Sequence, residues 1–128
     1  MNDIRFSYVW DKLRDSEFTT IRSWNAEKEK YYQDLIGKVF RIWKAKETYP
    51  FYREYILCKA FLKSAMTVKT NTIPERMLKK DVMLNGSIDH KWYDRIMKQD
   101  QVIVLEFTKA PVEQTTLGME LRYNDNSV

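Results

Sequence analysis

Short runs of β-branched and aromatic residues, separated by polar turn-formers, dominate the pattern along the chain. Ile4–Tyr8 reads as an opening strand, and Val9–Arg14 as a helical turn or loop leading into SEFTTIRSW, from Ser16 to Trp24. Alternation in that second strand puts Phe18, Thr20 and Arg22 on one face and Thr19, Ile21 and Ser23 on the other. Neither face is wholly apolar, so a hydroxyl and a guanidinium stand in register with a phenyl ring. Ser23 or Asn25 can cap the helix that follows, which begins with the good helix formers Ala26 to Lys30 and which Gly37 is placed to end. Tyr31 and Leu35, with Tyr32 and Ile36, give this helix an apolar face. KVFRIWKA (Lys38 to Ala45) and YILCKAFLKS (Tyr55 to Ser64) predict two strands around the turn-prone KETYPFYRE, the second with room to run on to Val68.

Thr72 and Glu75 in TIPE form a capping-box pattern, and Pro74 suits a first helical turn because its missing N–H costs nothing there. The pattern predicts a helix to about Leu84, stopped by Asn85 and Gly86. Asp89 can cap a further helix, HKWYDRIMK, in which Trp92 with Ile96 and Tyr93 with Met97 are four-apart pairs. QVIVLEFTK, Gln101 to Lys109, is a nearly continuous apolar strand of the kind buried on both faces. About five strands with two or three helices and no regular strand–helix alternation predict an α+β domain around a small curved sheet or barrel over residues 1–109. Residues 110–128 form a polar C-terminal extension with room for one edge strand around Glu120 to Tyr123.

Composition narrows the picture. At 128 residues with 44% hydrophobic content the chain can bury one core without disulfides, and one cysteine (Cys58) and one histidine (His90) cannot build a Cys/His zinc site. No metal and no cofactor are expected. The first residues lack the apolar core of a secretory signal, and the longest apolar run, Val102 to Leu105, is far too short to span a bilayer. A soluble, cytoplasmic protein is the expectation. A net charge of +4 favours an anionic partner only mildly. Local charge says more: Lys38 to Lys63 holds seven basic residues against two acidic ones, interleaved with seven aromatics. Cations alternating with rings are what a single nucleic-acid strand uses, through phosphate attraction and base stacking. Lys38, Arg41, Lys44 and Arg53 are the candidate phosphate contacts, Trp43 and Tyr52 the candidate stacking surfaces, and the loop Tyr49 to Arg53 is the expected exposed part.

The strand, helix and strand order resembles the ASCH family, whose small barrel is similar to the PUA domains of RNA-modifying proteins. The family motif, G-x-K-x-x-E-x-R, falls on Asp15 to Arg22, and only the arginine is kept. GKVF at Gly37, DVMLNG at Asp81 to Gly86 and VIVLEF at Val102 resemble the family's softer anchors. The resemblance implies a PUA-like barrel with a cleft at Thr20 and Arg22, and RNA or a nucleotide-like ligand as partner. A base there could stack on an aromatic or guanidinium plane and be read at its polar edge.

Related amidohydrolases act on acylated cytidine with a lysine and a threonine in this motif and a downstream carboxylate. The alternative function is therefore a small hydrolase, an amidohydrolase or ribonuclease, with Thr20 as nucleophile or positioning hydroxyl, Asp81 as general base and Arg22 as clamp. Glu17 stands at the lysine position, which weighs against it. A third reading is a protein-interaction module using the Tyr49 to Tyr52 loop. The bland reading of Arg22 is an ion pair with Asp81, Asp15 or Glu17, and Asp81, disfavoured by the dipole at a helix end, is its first candidate partner. Glu106 in an apolar strand calls for a basic neighbour or an edge position. Trp10, Trp24 and Trp92 are expected in the core, and Cys58 as a small buried hydrophobe.

Overall fold

The computed structural model describes residues 2–110. Seven strands and three helices form an α+β domain: β1 (Asn2–Phe6), β2 (Glu17–Ser23), α1 (Ala26–Asp34), β3 (Val39–Ala45), β4 (Arg53–Lys69), α2 (Glu75–Asp81), β5 (Met83–Leu84), β6 (Ser87–Ile88), α3 (His90–Met97) and β7 (Gln101–Lys109). A short 3₁₀ turn, Asp11–Arg14, precedes β2, and another, Thr70–Thr72, precedes α2. The expected edge strand near Glu120 lies outside the described residues.

The main sheet has the order β1-β3-β4-β7-β2 and is mixed, because β1 runs parallel to β3 while every other pairing is antiparallel. β4, at 17 residues, ties the sheet together. Its first half pairs with β3 and its second with β7, with register shifts at Ile42/Trp43, Lys44/Ala45 and Leu62/Ser64. Such bulges bend strands and raise local twist, so the sheet curls. It does not close through a β1–β2 ladder. Arg22 of β2 instead donates through its Nη2 to the Arg5 carbonyl of β1, 3.1 Å away, so one side chain spans the two edges.

Alternation supplies the core. Phe40, Ile42, Leu62, Val102, Leu105 and Phe107 are fully buried, and Phe18 stacks on Phe107 across the β2–β7 pair with centroids 5.4 Å apart. β7 is the most apolar strand, as its sequence predicts, yet Glu106 points outward and accepts from Ser64 rather than facing a base.

Four local expectations are corrected. The α2 region has no capping box: Thr72 donates to the Lys69 carbonyl, and Pro74 caps without a side-chain hydrogen bond. That helix ends at Asp81, because Asn85 and Gly86 adopt positive φ and close a β5–β6 hairpin, the turn type this dipeptide favours. α1 buries little of the predicted stripe: Tyr32 and Leu35 pack on the core, whereas Tyr31 and Ile36 face solvent. Trp24 is likewise exposed and donates to Glu29, 2.6 Å away. Asn25 caps α1 and Asp89 caps α3 through their side chains.

Candidate cationic cavity

Where the edges of the curled sheet approach, β2 turns Thr20 and Arg22 inward. They line a cavity of about 320 Å³ bounded by the Ser7–Trp10 connection, the Asp11–Arg14 turn, the end of α2 and one face of α3. Of the three residues that alternation puts on one face, Phe18 fills the core, Thr20 is buried and Arg22 lies at the cavity wall, which Ile21 and Ser23 also line.

Among the described residues Arg22 has no carboxylate partner. Its one side-chain hydrogen bond among the described residues goes to the Arg5 carbonyl, its planar head lies 4.7 Å from the centroid of Phe6, and its Nε is sealed from water with no described group to bond. Burial lowers its pKa, partly offset by Tyr32 and Asp81. Two carboxylates that the sequence offers as partners are engaged elsewhere: Asp15 meets Lys80 and Glu17 meets Lys63.

Asp81 is also paired, but to a residue the pattern did not single out. Lys12 reaches from the 3₁₀ turn to within 2.5 Å of Asp81, with both side chains almost completely buried. This corrects the expected Arg22–Asp81 pair. The carboxylate sits at the C-terminal end of α2, where the helix dipole repels it, so an ammonium answers both the dipole and the burial. Burial drives the Lys12 pKa down and Asp81 opposes that, while nearby Arg22 adds to the fall. Asp11, one residue earlier, accepts the backbone N–H groups of Asn85 and Gly86 at 2.8 Å each, which locks the turn carrying Lys12 against the hairpin. Those two hydrogen bonds hold the Asp11 carboxyl below its usual range.

Aromatic rings form the opposite wall. Trp10 and Trp92 meet edge to face at 6.2 Å, and Tyr8 joins both. Arg95 lies 4.5 Å from the Trp92 ring centroid, and Lys28 holds Ser23 at the mouth. In all, Arg5, Lys12, Arg22, Lys28 and Arg95 line the cavity against the single carboxylate of Asp81. The buried Lys12 ammonium thus takes the one acid, and the half-buried Arg22 guanidinium beside it is left without an ion-pair partner among the described residues. An environment of this kind favours a bound anion with a planar group.

Lys38, Arg41, Trp43, Lys44, Tyr52 and Arg53 do not line it. Lys38 is exposed just before β3, and Lys44 is held by Glu54. Arg41 and Arg53 both bind Asp3, which also accepts from the Trp43 indole, and both guanidiniums cover that ring. Trp43 is therefore already stacked. These residues form a separate surface, continuing into the exposed loop at Tyr49 to Tyr52.

Five contributors to the cavity escaped the pattern: Arg5, Lys12, Lys28, Trp92 and Arg95. Trp92 and Arg95 are three apart on α3 and so share a face, a signal available in the sequence. Lys12 carries none, because its partner lies 69 residues away. Among the described residues no group of three or more His, Cys, Asp and Glu side chains could hold a metal, and no helix is long and apolar enough to cross a membrane. No family model matches the chain, and no curated protein or solved structure was found to be similar to it.

Proposed function

We propose that this chain is an ASCH-type, PUA-like domain that binds RNA or a nucleotide-like ligand in the cavity edged by Thr20 and Arg22. The observation that carries the reading is the Arg22 guanidinium: buried at its Nε, unpaired by any acid among the described residues, and facing a space where five basic residues meet one carboxylate. A guanidinium N–H sealed from water with nothing described to bond is costly, and a phosphate or an anionic base edge beside the half-buried head would offset that with charge-assisted hydrogen bonds. The Trp10–Trp92 wall adds an apolar surface against which a base can lie. A volume of about 320 Å³ falls at the small end of ligand pockets, which suits one nucleotide. The Arg22 bridge between β1 and β2 is consistent with an incompletely closed PUA-like barrel.

Fluorescence anisotropy with labelled single-stranded RNA across salt concentration tests this. Affinity falls as salt rises, and Lys28→Ala and Arg95→Ala each weaken binding several-fold, since both are mouth residues outside the core. Absence of binding at low salt to RNA and to every ribonucleoside monophosphate would overturn the proposal.

A hydrolase acting on acylated nucleosides or RNA is the second reading, and one observation favours it. The family motif lacks its lysine, but Lys12 brings an amine into the cavity beside Asp81 and Thr20 from outside that motif. The Lys12–Asp81 pair would then share the proton, with Thr20 as the hydroxyl and Arg22 stabilising developing negative charge. Release of acetate from acetylated cytidine, lost in Thr20→Ala and Asp81→Asn, is its signature; a rate unchanged in both variants removes these residues from the chemistry.

A further inference from the structure

The loop between β3 and β4 carries Tyr49, Phe51 and Tyr52, and Tyr55 and Ile56 continue the exposed surface into β4. Tyr49 is 85% and Tyr52 65% exposed, values that leave most of each ring free to receive another plane. Tyr49 touches Phe51 only edge to face, at 6.0 Å.

Topology puts this loop beside the cavity. β1 and β3 are parallel, and their last paired residues are Phe6 and Lys44. One residue further along β1 is Ser7, which lines the cavity; past Lys44 come Ala45 and then the loop. Arg5 joins the two regions directly. Its carbonyl accepts from Arg22 inside the cavity, while its guanidinium donates to the Phe51 carbonyl in the loop at 3.2 Å.

Charge agrees with position. Beneath the loop, Arg41 and Arg53 share one carboxylate, Asp3, and both cover Trp43. Lys46 and Glu47 are both exposed and offset each other, Lys44 is paired with Glu54, and the surplus positive charge at the loop is that of Arg5, Arg41 and Arg53 against Asp3. The Lys46 amide donates to the Tyr52 carbonyl and closes the loop. Exposed rings whose faces stay open, Tyr49 and Phe51 meeting only edge to face, over two guanidiniums that share one carboxylate match a strand of alternating bases and phosphates.

We infer that the Tyr49–Tyr55 tip is a second contact for single-stranded RNA, stacking the nucleotides that flank the one held in the cavity. This rests on the nucleotide reading of the cavity and extends it from one residue to a short track: Arg22 and the Trp92 wall hold one nucleotide, Arg5 marks the passage, and Tyr49 and Tyr52 receive its neighbours.

The test compares a fluorescein-labelled random-sequence octaribonucleotide with each ribonucleoside 5′-monophosphate, on wild type, Tyr49→Ala/Tyr52→Ala and Tyr49→Phe/Tyr52→Phe. The track predicts that the double alanine variant loses about tenfold or more in octamer affinity, as expected for removing stacking partners. Monophosphate affinity stays within about twofold, and the double phenylalanine variant restores octamer binding, since the ring rather than the hydroxyl is the contact. Equal octamer affinity in wild type and the double alanine variant overturns the track and leaves the cavity reading standing. Failure of wild type to bind either probe removes both. Concentration-dependent self-association abolished by the alanine pair, without an effect on octamer binding, identifies the tip as a protein contact and overturns the track.

Discussion

Lys12 and Asp81 carry opposite charges into a space nearly without water, and neither has another charged partner closer than the other. Breaking such a pair leaves one ion uncompensated, typically at about 3–5 kcal/mol, whereas exchanging both partners for apolar groups of similar size is often close to neutral. Lys12→Met is therefore expected to destabilise the fold by about 3 kcal/mol in urea unfolding, and Lys12→Met with Asp81→Leu to recover most of it. If the double variant were as unstable as the single one, the pair would hold more than each other. Asp3 makes a second prediction at this scale. Hydrogen bonds from Arg41 and then Trp43, with the charges of Arg41 and Arg53, lower its pKa from 3.8 to about 2. A depressed carboxylate stabilises the folded state above its unfolded pKa and loses that contribution as pH falls through the folded value. The fold should thus weaken between about pH 3.8 and pH 2 in a step that Asp3→Asn lacks. A denaturant midpoint falling equally in both proteins over that window would assign the acid sensitivity to other groups.

Helix ends distinguish side chains that cap from those that only resemble caps. Asn25 accepts the Lys28 amide at 2.7 Å and Asp89 the Trp92 amide at 3.1 Å, so Asn25→Ala and Asp89→Ala should each cost about 1 kcal/mol. Thr72 points back to Lys69, and Thr72→Ala should cost less than about 0.5 kcal/mol, as at an ordinary surface position. Urea titrations of the three variants check the order; a Thr72 cost equal to the others would restore the capping box. The same comparison explains what was legible. β2, β3, β4, β7 and α3 were readable because each has a periodic run or a local cap within a few residues. The end of α2 was not, because Asn85-Gly86 serves equally as a helix stop and a hairpin turn, and the choice falls to Asp11, which binds both amides from a distant turn. For the cavity, alternation in β2 put Thr20 and Arg22 on one face, and both line it together with their neighbours Ile21 and Ser23. The basic window at Lys38 to Lys63 ran along a different surface, because sequence density of charge does not tell which strand face or edge receives it.

At the scale of the molecule, β1 and β2 are the two edges of one curled sheet, and each has a single strand neighbour. β3, β4 and β7 are flanked on both sides, so their amides should exchange only on global unfolding, while β1 and β2 open more readily. Arg22 opposes that opening by bonding the Arg5 carbonyl from the far edge. A ligand seated in the cavity would touch both edges at once and close the gap further, and anything that binds only the closed form stabilises it by mass action. Hydrogen exchange with the octaribonucleotide present should therefore slow the amides of β1 and of Thr20 to Ser23, with little change in the centre of β4 and β7. Arg22→Gln keeps a donor amide but not the charge, and should exchange faster at β1 even without ligand. Slowing confined to β3 and β4, with β1 and β2 unaffected, would mean that the ligand binds elsewhere and that Arg22 is a structural clasp alone.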